Sequence, residues 1–264
     1  MSTPPLVGLL TDFGLTDTYV GQMRAALLRI APEARLVDLT HAVPAQDVRA
    51  GAFLLWSAVE AFPEGSLHLA VVDPGVGSAR RAVAARSRRG DILVGPDNGL
   101  LVPALEVLGG LVQAVELTEP AYWGPRRSRT FHGRDLFAPV VGHLARGVPL
   151  ERLGRPLERL ETPFVFPESR QEGGALVGEV LHVDTYGNLI TNLPMERLPE
   201  RFELQVRGTV IPEAPHAHYQ AVAPGALLAL GGSAGLLEVS VRDGDAARVL
   251  GVGRGAPVRV LNLS

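Results

Sequence analysis

Two different patterns of apolar residues divide this sequence and limit the folds open to it. From residue 5 to about 160, short apolar runs such as PLVGLL and SLHLAVVD alternate with segments of helical period such as TDTYVGQMRAALLRIAP. This alternation is typical of an α/β domain in which helices flank a central sheet. After residue 174 the pattern changes to short strands separated by turns, which favours a small antiparallel all-β domain, barrel-like or a sandwich.

The segment LETPFVFPESRQEGG, between about residues 160 and 174, joins the two patterns. It contains prolines, mixed charges and a glycine pair, as linkers between domains often do. The sequence therefore predicts an α/β N-terminal domain over residues 1–165 and a barrel-like C-terminal domain over residues 166–264. For the first helix, it predicts Thr16 or Asp17 as the cap and Pro32 as the end.

The composition excludes several classes of function. A formal net charge of −3 provides no basic surface for nucleic acid or for an anionic membrane. No apolar run approaches the roughly 18–20 residues that span a bilayer, and the first residues lack a secretory signal, so we expect a soluble, cytoplasmic protein. Cysteine is absent and all 25 basic residues are arginine, which excludes a thiolate nucleophile, a Schiff-base lysine and a P-loop lysine.

Polar side chains follow four of the predicted strands, where open α/β sheets bind their ligands. They are Asp12, His41, Asp73 and the adjacent pair Asp97 and Asn98. Each has an ordinary structural interpretation too, because Asp and Asn cap helices and start turns. The sequence DPG, which begins at Asp73, suits a type II turn particularly well.

The segment RRSRTFHGRDLF favours a functional interpretation over a structural one, because it brings His132, Arg134 and Asp135 close together in the sequence. A lone histidine in such a loop is usually a surface residue. With Asp73 and Arg80 from another strand end, however, His132 would form a group that handles protons. The histidine would act as acid or base, the aspartate would orient it, and the arginine would supply a fixed positive charge.

Other site templates fit less well. GVGSAR lacks the third glycine of a dinucleotide-binding loop, GVGRGA lies among predicted β-strands, and no G-x-S-x-G nucleophile motif occurs. A metal site could be assembled from Asp12, Asp17, Asp73 and His41 by residue type, but no compact ligand spacing singles it out. We therefore predict that the protein needs neither a metal nor another cofactor.

Seven motifs occur in order between about residues 6 and 260. They are TDFGLTDTYVG, HAVPAQDVRAGAFLL, VVDPGVGSARR, GPDNGLL, RTFHGRDLFAPV, VDTYGNLITN and GGSAGLLEVSV. Together they resemble the S-adenosyl-L-methionine (SAM) hydroxide adenosyltransferases, which are relatives of the fluorinases and chlorinases. The resemblance implies that hydroxide derived from water attacks C5′ of SAM and displaces L-methionine, which yields adenosine.

The same resemblance implies roles for individual residues of the N-terminal domain. In that family an aspartate, an arginine and a histidine are proposed to hold and activate the water, and they fall here on Asp73, Arg80 and His132. Arg81 is the alternative to Arg80. Asp12 would accept hydrogen bonds from the ribose hydroxyls.

In the C-terminal domain, the resemblance implies that Asp184 meets the methionine ammonium group and that Tyr186 stacks near the adenine. Asn188 would hydrogen-bond the adenine, and Ser233 would contact the methionine carboxylate. It also implies a homotrimer, with each site between the N-terminal domain of one subunit and the C-terminal domain of the next.

Two other functions stay open at this point. A SAM-dependent 5′-halogenase is disfavoured by Asp73 and His132, because the halide-using relatives have an aromatic residue in place of the aspartate and lack the histidine. A noncatalytic sensor of SAM or adenosine would bind its ligand through Asp12, Asp184 and Asn188. In that case the aspartate, arginine and histidine would form only a salt-linked turn.

Overall fold

The computed structural model describes residues 5–126 and 128–261, and the chain divides into two compact units. The first unit ends at Val165 and the second begins at Phe166. Each unit has its own sheet and its own hydrophobic core. The first is an α/β unit and the second is antiparallel and barrel-like, which confirms the fold class predicted from the sequence.

In the first unit, the residues that the structure describes form a mixed seven-stranded sheet. Its strands are β1 Leu6–Thr11, β2 Arg35–Thr40, β3 Leu67–Val71, β4 Ala82–Ser87, β5 Ile92–Pro96, β6 Leu111–Glu116 and β7 Arg155–Leu157. They lie in the order β2-β1-β3-β5-β4-β6-β7. Strands β2, β1, β3 and β5 are parallel, while β4, β6 and β7 are antiparallel to their neighbours. The parallel strands therefore all end at one edge of the sheet.

Helices cover both faces of this sheet. They are α1 Tyr19–Ile30, α2 Val48–Val59, α3 Val102–Val107 and α4 Ala138–Ala145. Helices α1 and α4 share a core with the buried side chains of Val7 and Leu9. Helix α2 is packed so closely against the sheet that a Cβ added to Gly51 would lie 2.9 Å from Cγ2 of Val72. Among the described residues, no helix combines the length and apolarity needed to cross a membrane.

One helix start differs from the sequence prediction, and another has an unusual geometry. Thr18 immediately precedes α1, so the predictions of Thr16 or Asp17 as its cap are wrong by one or two residues. The helical segment after His132 begins with a π-helical turn, Gly133–Phe137, and continues as α4. Such turns often occur at functional sites, because the extra residue changes the direction of nearby side chains.

The described residues of the second unit form eight strands. They are β8 Arg170–Glu172, β9 Ala175–Val183, β10 Leu189–Pro194, β11 Phe202–Val206, β12 Thr209–Ala214, β13 Leu227–Gly231, β14 Leu236–Val241 and β15 Pro257–Leu261. All pairs are antiparallel, in the order β12-β11-β15-β9-β10-β14-β13, and β8 pairs with β9. Just after β12, the backbone N–H of His216 donates to the carbonyl of Ala229 on β13 at 2.6 Å, which nearly closes the barrel. A short helix, α5 Ala246–Leu250, lies between β14 and β15.

Candidate active site

Arg80 connects an aspartate and a histidine that come from different elements of the first unit. Asp73 follows β3, Arg80 precedes β4, and His132 precedes the π-helical turn. The Nε of Arg80 lies 3.0 Å from each carboxylate oxygen of Asp73, and its Nη2 lies 2.9 Å from Nδ1 of His132. The side chains of Asp73 and Arg80 are only 5% and 11% exposed. The structure thus brings the three residues predicted as catalytic into one hydrogen-bonded group.

Two loops approach closely to make this group. The segment from Asp73 to Arg80 crosses the carboxyl end of β5, because the sheet order places β5 between β3 and β4. Gly77 in this segment has a φ of 78°, and a Cβ added there would lie 2.5 Å from the carbonyl oxygen of Arg129. Glycine therefore meets two needs at this position, a left-handed backbone and close contact with the loop that leads to His132.

The contact with Arg80 fixes the protonation of His132. A guanidinium group only donates hydrogen bonds, so Nδ1 must accept and the neutral ring carries its proton on Nε2. Burial and the positive charge of Arg80 lower the pKa of His132 by more than the negative charges of Asp73 and Asp135 raise it. The ring is therefore neutral at pH 7 and offers a donor at Nε2. Action as a base, one of the two roles considered from the sequence, would require loss of the contact with Arg80.

A cavity of about 240 Å³ lies against this group. Residues that line it include Asp12, Phe13, Gln46, Asp73, Phe131 and His132. The aromatic rings of Phe13 and Phe131 pack edge to face with their centres 5.8 Å apart. Two carboxylates beside an aromatic wall suit a small ligand that carries a positive charge.

Asp12 is held at the wall of this cavity by the backbone of Gln46. The carboxylate of Asp12, just after β1, accepts a hydrogen bond from the Gln46 N–H at 2.8 Å. Gln46 has a φ of 65°, a left-handed conformation that is uncommon outside glycine and that clusters at functional sites. The sequence analysis missed Gln46, because neither its residue type nor its spacing indicates this conformation.

Arg81, the alternative to Arg80, makes different contacts. Its Nε donates to a carboxylate oxygen of Asp97 at 2.7 Å, and the other oxygen of Asp97 accepts the backbone N–H of Glu161 at 2.8 Å. The side-chain amide of Asn98 donates to the carbonyl of Val72 at 2.9 Å. These polar residues therefore tie loops together, and the structure places Arg80 rather than Arg81 beside Asp73.

His41 has a structural environment as well. It is buried, and its Nδ1 lies 2.8 Å from Oγ1 of Thr11. Burial and the nearby charge of Arg24 lower its pKa to about 4, so the ring is neutral at physiological pH. In the described part of the chain, no group of three or more His, Asp or Glu side chains is arranged to hold a metal ion, so His41 and the three aspartates considered with it do not form a metal site.

In the second unit, three of the predicted residues share one turn. One carboxylate oxygen of Asp184 accepts the backbone N–H groups of Tyr186 and Asn188, each at 2.9 Å. The other accepts the side-chain amide of Asn188 at 2.9 Å. Gly187 has a φ of 82°, and a Cβ added there would collide with the carboxylate of Asp245. Asp184 therefore fixes the conformation of the turn, whatever else it binds.

This turn borders a cavity of about 450 Å³, which is lined by Tyr186, Asn188, Tyr219 and Arg242 among others. The Tyr219 hydroxyl donates to Oε1 of Glu238 at 2.7 Å, and burial together with Glu238 raises the pKa of Tyr219 to about 12. Two tyrosines beside a side-chain amide suit a planar heteroaromatic ligand. Sequence reasoning missed Tyr219, which begins a short 3₁₀ turn, Tyr219–Ala221, without a recognisable motif.

Ser233 lies apart from that cavity within the second unit. It is exposed in the turn between β13 and β14. This turn adjoins Leu236, which pairs with Pro194 at one end of β10, whereas Asn188 adjoins the other end. The residues of β14 that face β10, from Leu236 to Val239, are only three steps apart, or about 10 Å at roughly 3.3 Å per residue. Ser233 does not line the cavity beside the turn that contains Asp184, and its contact with a ligand stays a prediction.

A carboxylate, a fixed guanidinium and a neutral imidazole at one cavity are groups with which an enzyme can handle protons. The comparisons with known proteins identify the family. Residues 7–154 match the SAM hydroxide adenosyltransferase N-terminal domain, and residues 178–259 match the C-terminal domain of the same family. The chain therefore belongs to the SAM hydroxide adenosyltransferase family, as the seven motifs predicted.

Individual relatives agree with this assignment. A protein from Salinispora arenicola named (R)-S-adenosyl-L-methionine hydrolase is 45% identical over 269 residues, which cover 98% of this chain and 99% of the relative. A crystal structure described as that of an uncharacterized conserved protein from Thermotoga maritima is 36% identical, with a TM-score of 0.90, and covers 97% of this chain and 100% of that one. A fluorinase from Actinoplanes sp. is more distant, at 30% identity over 231 residues and 77% of each chain.

The bridge made by Arg80 leads to a prediction that needs no ligand. Nitrogen NMR of histidine-labelled protein at pH 7 should show His132 as neutral and protonated on Nε2, with its signal identified among the seven histidines by comparison with His132→Gln. Arg80→Lys should shift this signal, because an ammonium group cannot reproduce the planar fork that contacts both Asp73 and His132. Arg81→Lys is the matched control and should leave it in place. An unshifted His132 signal in Arg80→Lys would contradict the bridge.

Proposed function

We propose that this protein hydrolyses SAM to adenosine and L-methionine by attack of water-derived hydroxide on C5′. The observation that carries the proposal is the contact of Arg80 with both Asp73 and His132 at the wall of a small cavity. Water has a pKa of roughly 15.7 and is a poor nucleophile unless its oxygen is polarised and a base is near. The name of the relative at 45% identity, a SAM hydrolase, supports the same reaction.

In this proposal, the three residues divide the work of activating the water. Arg80 and the Nε2–H of His132 hold the water oxygen, and the carboxylate of Asp73 receives its proton. The oxygen forms a bond to C5′ while the C5′–S bond breaks, and that electron pair moves to sulfur. Methionine leaves as a neutral thioether, so the sulfonium charge disappears in the transition state. A cavity that excludes water favours such a loss of charge.

The remaining predicted residues would hold the substrate. Asp12, oriented by a backbone N–H, would accept hydrogen bonds from the ribose hydroxyls. Tyr186 would stack near the adenine and Asn188 would hydrogen-bond it. Asp184 has lone pairs beyond those used in its turn and would accept from the methionine ammonium, and Ser233 would contact the methionine carboxylate. Charge-assisted hydrogen bonds of this kind contribute roughly 1.5–3 kcal/mol each.

The configuration at sulfur is part of the proposed substrate. The Salinispora relative is named for the R form of SAM. The two epimers differ in the direction in which the methionine group leaves the sulfur, and therefore in how C5′ faces the water when both ends of the substrate are held. We accordingly propose the R epimer as the preferred substrate of this protein.

The experiment that tests the function supplies each SAM epimer separately and quantifies the products by chromatography, after dialysis of the protein against a chelator. Equal amounts of adenosine and methionine are expected, faster from the R epimer, because in the proposed mechanism no step passes through a metal. Asp73→Asn is expected to lower kcat by about 10²–10⁴-fold, since it removes the proton acceptor.

Added chloride or fluoride separates the competing functions in the same assay. No 5′-halo nucleoside is expected, because the Asp73 carboxylate repels an anion at the position of the nucleophile. A dominant halide product would instead make the protein a halogenase. Ligand binding without any product would make it a sensor, and activity restored only by a divalent ion would require a metal-assisted mechanism.

We further propose that the protein is a cytoplasmic homotrimer, in which the N-terminal domain of one subunit and the C-terminal domain of the next form each site. The family resemblance supports this proposal. Light scattering should then give three times the 28.0 kDa mass of one chain. A fully active monomer at the same concentration would contradict a site shared between subunits.

A further inference from the structure

Two charged residues that the proposed mechanism does not use follow His132 directly. Arg134 and Asp135 form a bidentate ion pair, with Nε 2.6 Å from one carboxylate oxygen and Nη2 3.0 Å from the other. Asp135 is 5% exposed, which is unusual for a carboxylate on a loop-proximal turn. Its Oδ2 also accepts the backbone N–H of Ser128 at 2.8 Å. One buried carboxylate thus ties the turn after His132 to the loop before it.

Arg134 extends this connection in two further directions. Its Nη1 donates to the side-chain oxygen of Gln22 on α1 at 2.8 Å. Its guanidinium carbon lies 4.8 Å from the ring centre of Phe131, the residue just before His132. Phe131 in turn packs edge to face against Tyr19 at 5.2 Å. The guanidinium therefore fixes the loop that carries His132 against helix α1.

We propose that Arg134 and Asp135 are positioning residues for His132, which hold its imidazole where Nδ1 meets Arg80. The clamp they form has contacts on both sides of His132 in sequence, at Ser128 and Phe131 before it and within the π-helical turn after it. This inference rests on the proposed role of His132. A displacement of about 1 Å at a reacting group lowers the rate by about 10²-fold, so such a clamp is part of the catalytic machinery without touching the substrate.

The cavity on the outer side of the clamp makes the proposal testable by chemical rescue. Arg134 and Asp135 line a cavity of about 700 Å³ together with Arg29, Trp123 and His143. Arg29 is exposed, so the cavity opens to solvent. Removal of the Arg134 side chain leaves a gap that connects to this cavity. A guanidinium ion from solution has the planar shape and the charge needed to pair with Asp135 in that gap.

The experiment measures kcat and KM for SAM in Arg134→Ala, with and without guanidinium below the concentration that unfolds the protein. We expect kcat to fall by about 10²-fold with KM unchanged, and guanidinium to restore much of the loss. Arg29→Ala is the matched control, because it lines the same cavity without joining the clamp. It should keep the wild-type kcat and show no response to guanidinium, and His132→Gln should not be rescued.

A second variant and a measurement without turnover distinguish the loss of the clamp from a folding defect in Arg134→Ala. Asp135→Asn keeps an acceptor for Ser128 but loses the charge that pairs with Arg134, so it should also lose kcat with KM unchanged. In both variants, nitrogen NMR should show that His132 no longer carries its proton on Nε2 alone, because the ring loses its contact with Arg80.

The possible outcomes separate this inference from the proposed function. Wild-type kcat and an unchanged His132 signal in Arg134→Ala would overturn the clamp while the hydrolase stands. A loss of kcat that guanidinium does not restore and that leaves the His132 signal unchanged would assign the pair a merely structural role, which also overturns it. A wild-type protein that forms no adenosine would defeat the proposed function, and the NMR comparison would still decide whether the clamp holds His132.

Discussion

The candidate site depends on the hydrogen bonds that the guanidinium of Arg80 makes with Asp73 and His132. The side chain of Asp73 is almost fully buried, and a buried charge costs free energy unless a partner of opposite charge lies beside it. The same guanidinium donates a hydrogen bond to Nδ1 of His132, which leaves the proton of the neutral ring on Nε2. Removal of one partner from such a buried pair costs about 3–5 kcal/mol, because the other charge is left uncompensated. The turn after β3, the start of β4 and the π-helical turn are therefore held together by one side chain.

Carboxylates that are oriented before any ligand arrives recur in both units. Asp12 accepts a backbone N–H from Gln46, whose left-handed backbone is the strained part of that loop. Asp184 accepts the backbone N–H groups of Tyr186 and Asn188. A ligand that binds such groups does not have to order them first, so less of its binding free energy is lost to conformational entropy. The same principle explains why a clamp beside His132 matters for rate.

The sequence was sufficient for the fold class because its apolar pattern alternates strands with helices in the first unit and separates strands by turns in the second. Asp12 and Asp73 could also be predicted, since the ends of parallel strands meet at one edge of a sheet. The choice between Arg80 and Arg81 could not, because adjacent residues in an extended segment point to opposite sides and only the partners decide. The left-handed backbone conformation of Gln46 could not be predicted either. Its conformation depends on contacts between distant segments rather than on local propensity.

The most direct measurement of the central claim is the fate of the solvent oxygen. The protein is given SAM in ¹⁸O-labelled water, and the adenosine is analysed by mass spectrometry with fragmentation that separates the ribose from the adenine. Direct displacement at C5′ by water held at Arg80, Asp73 and His132 predicts one ¹⁸O atom, located on the 5′ carbon of the ribose. Adenosine without the label at that position would contradict the account, because the solvent would then not be the nucleophile at C5′.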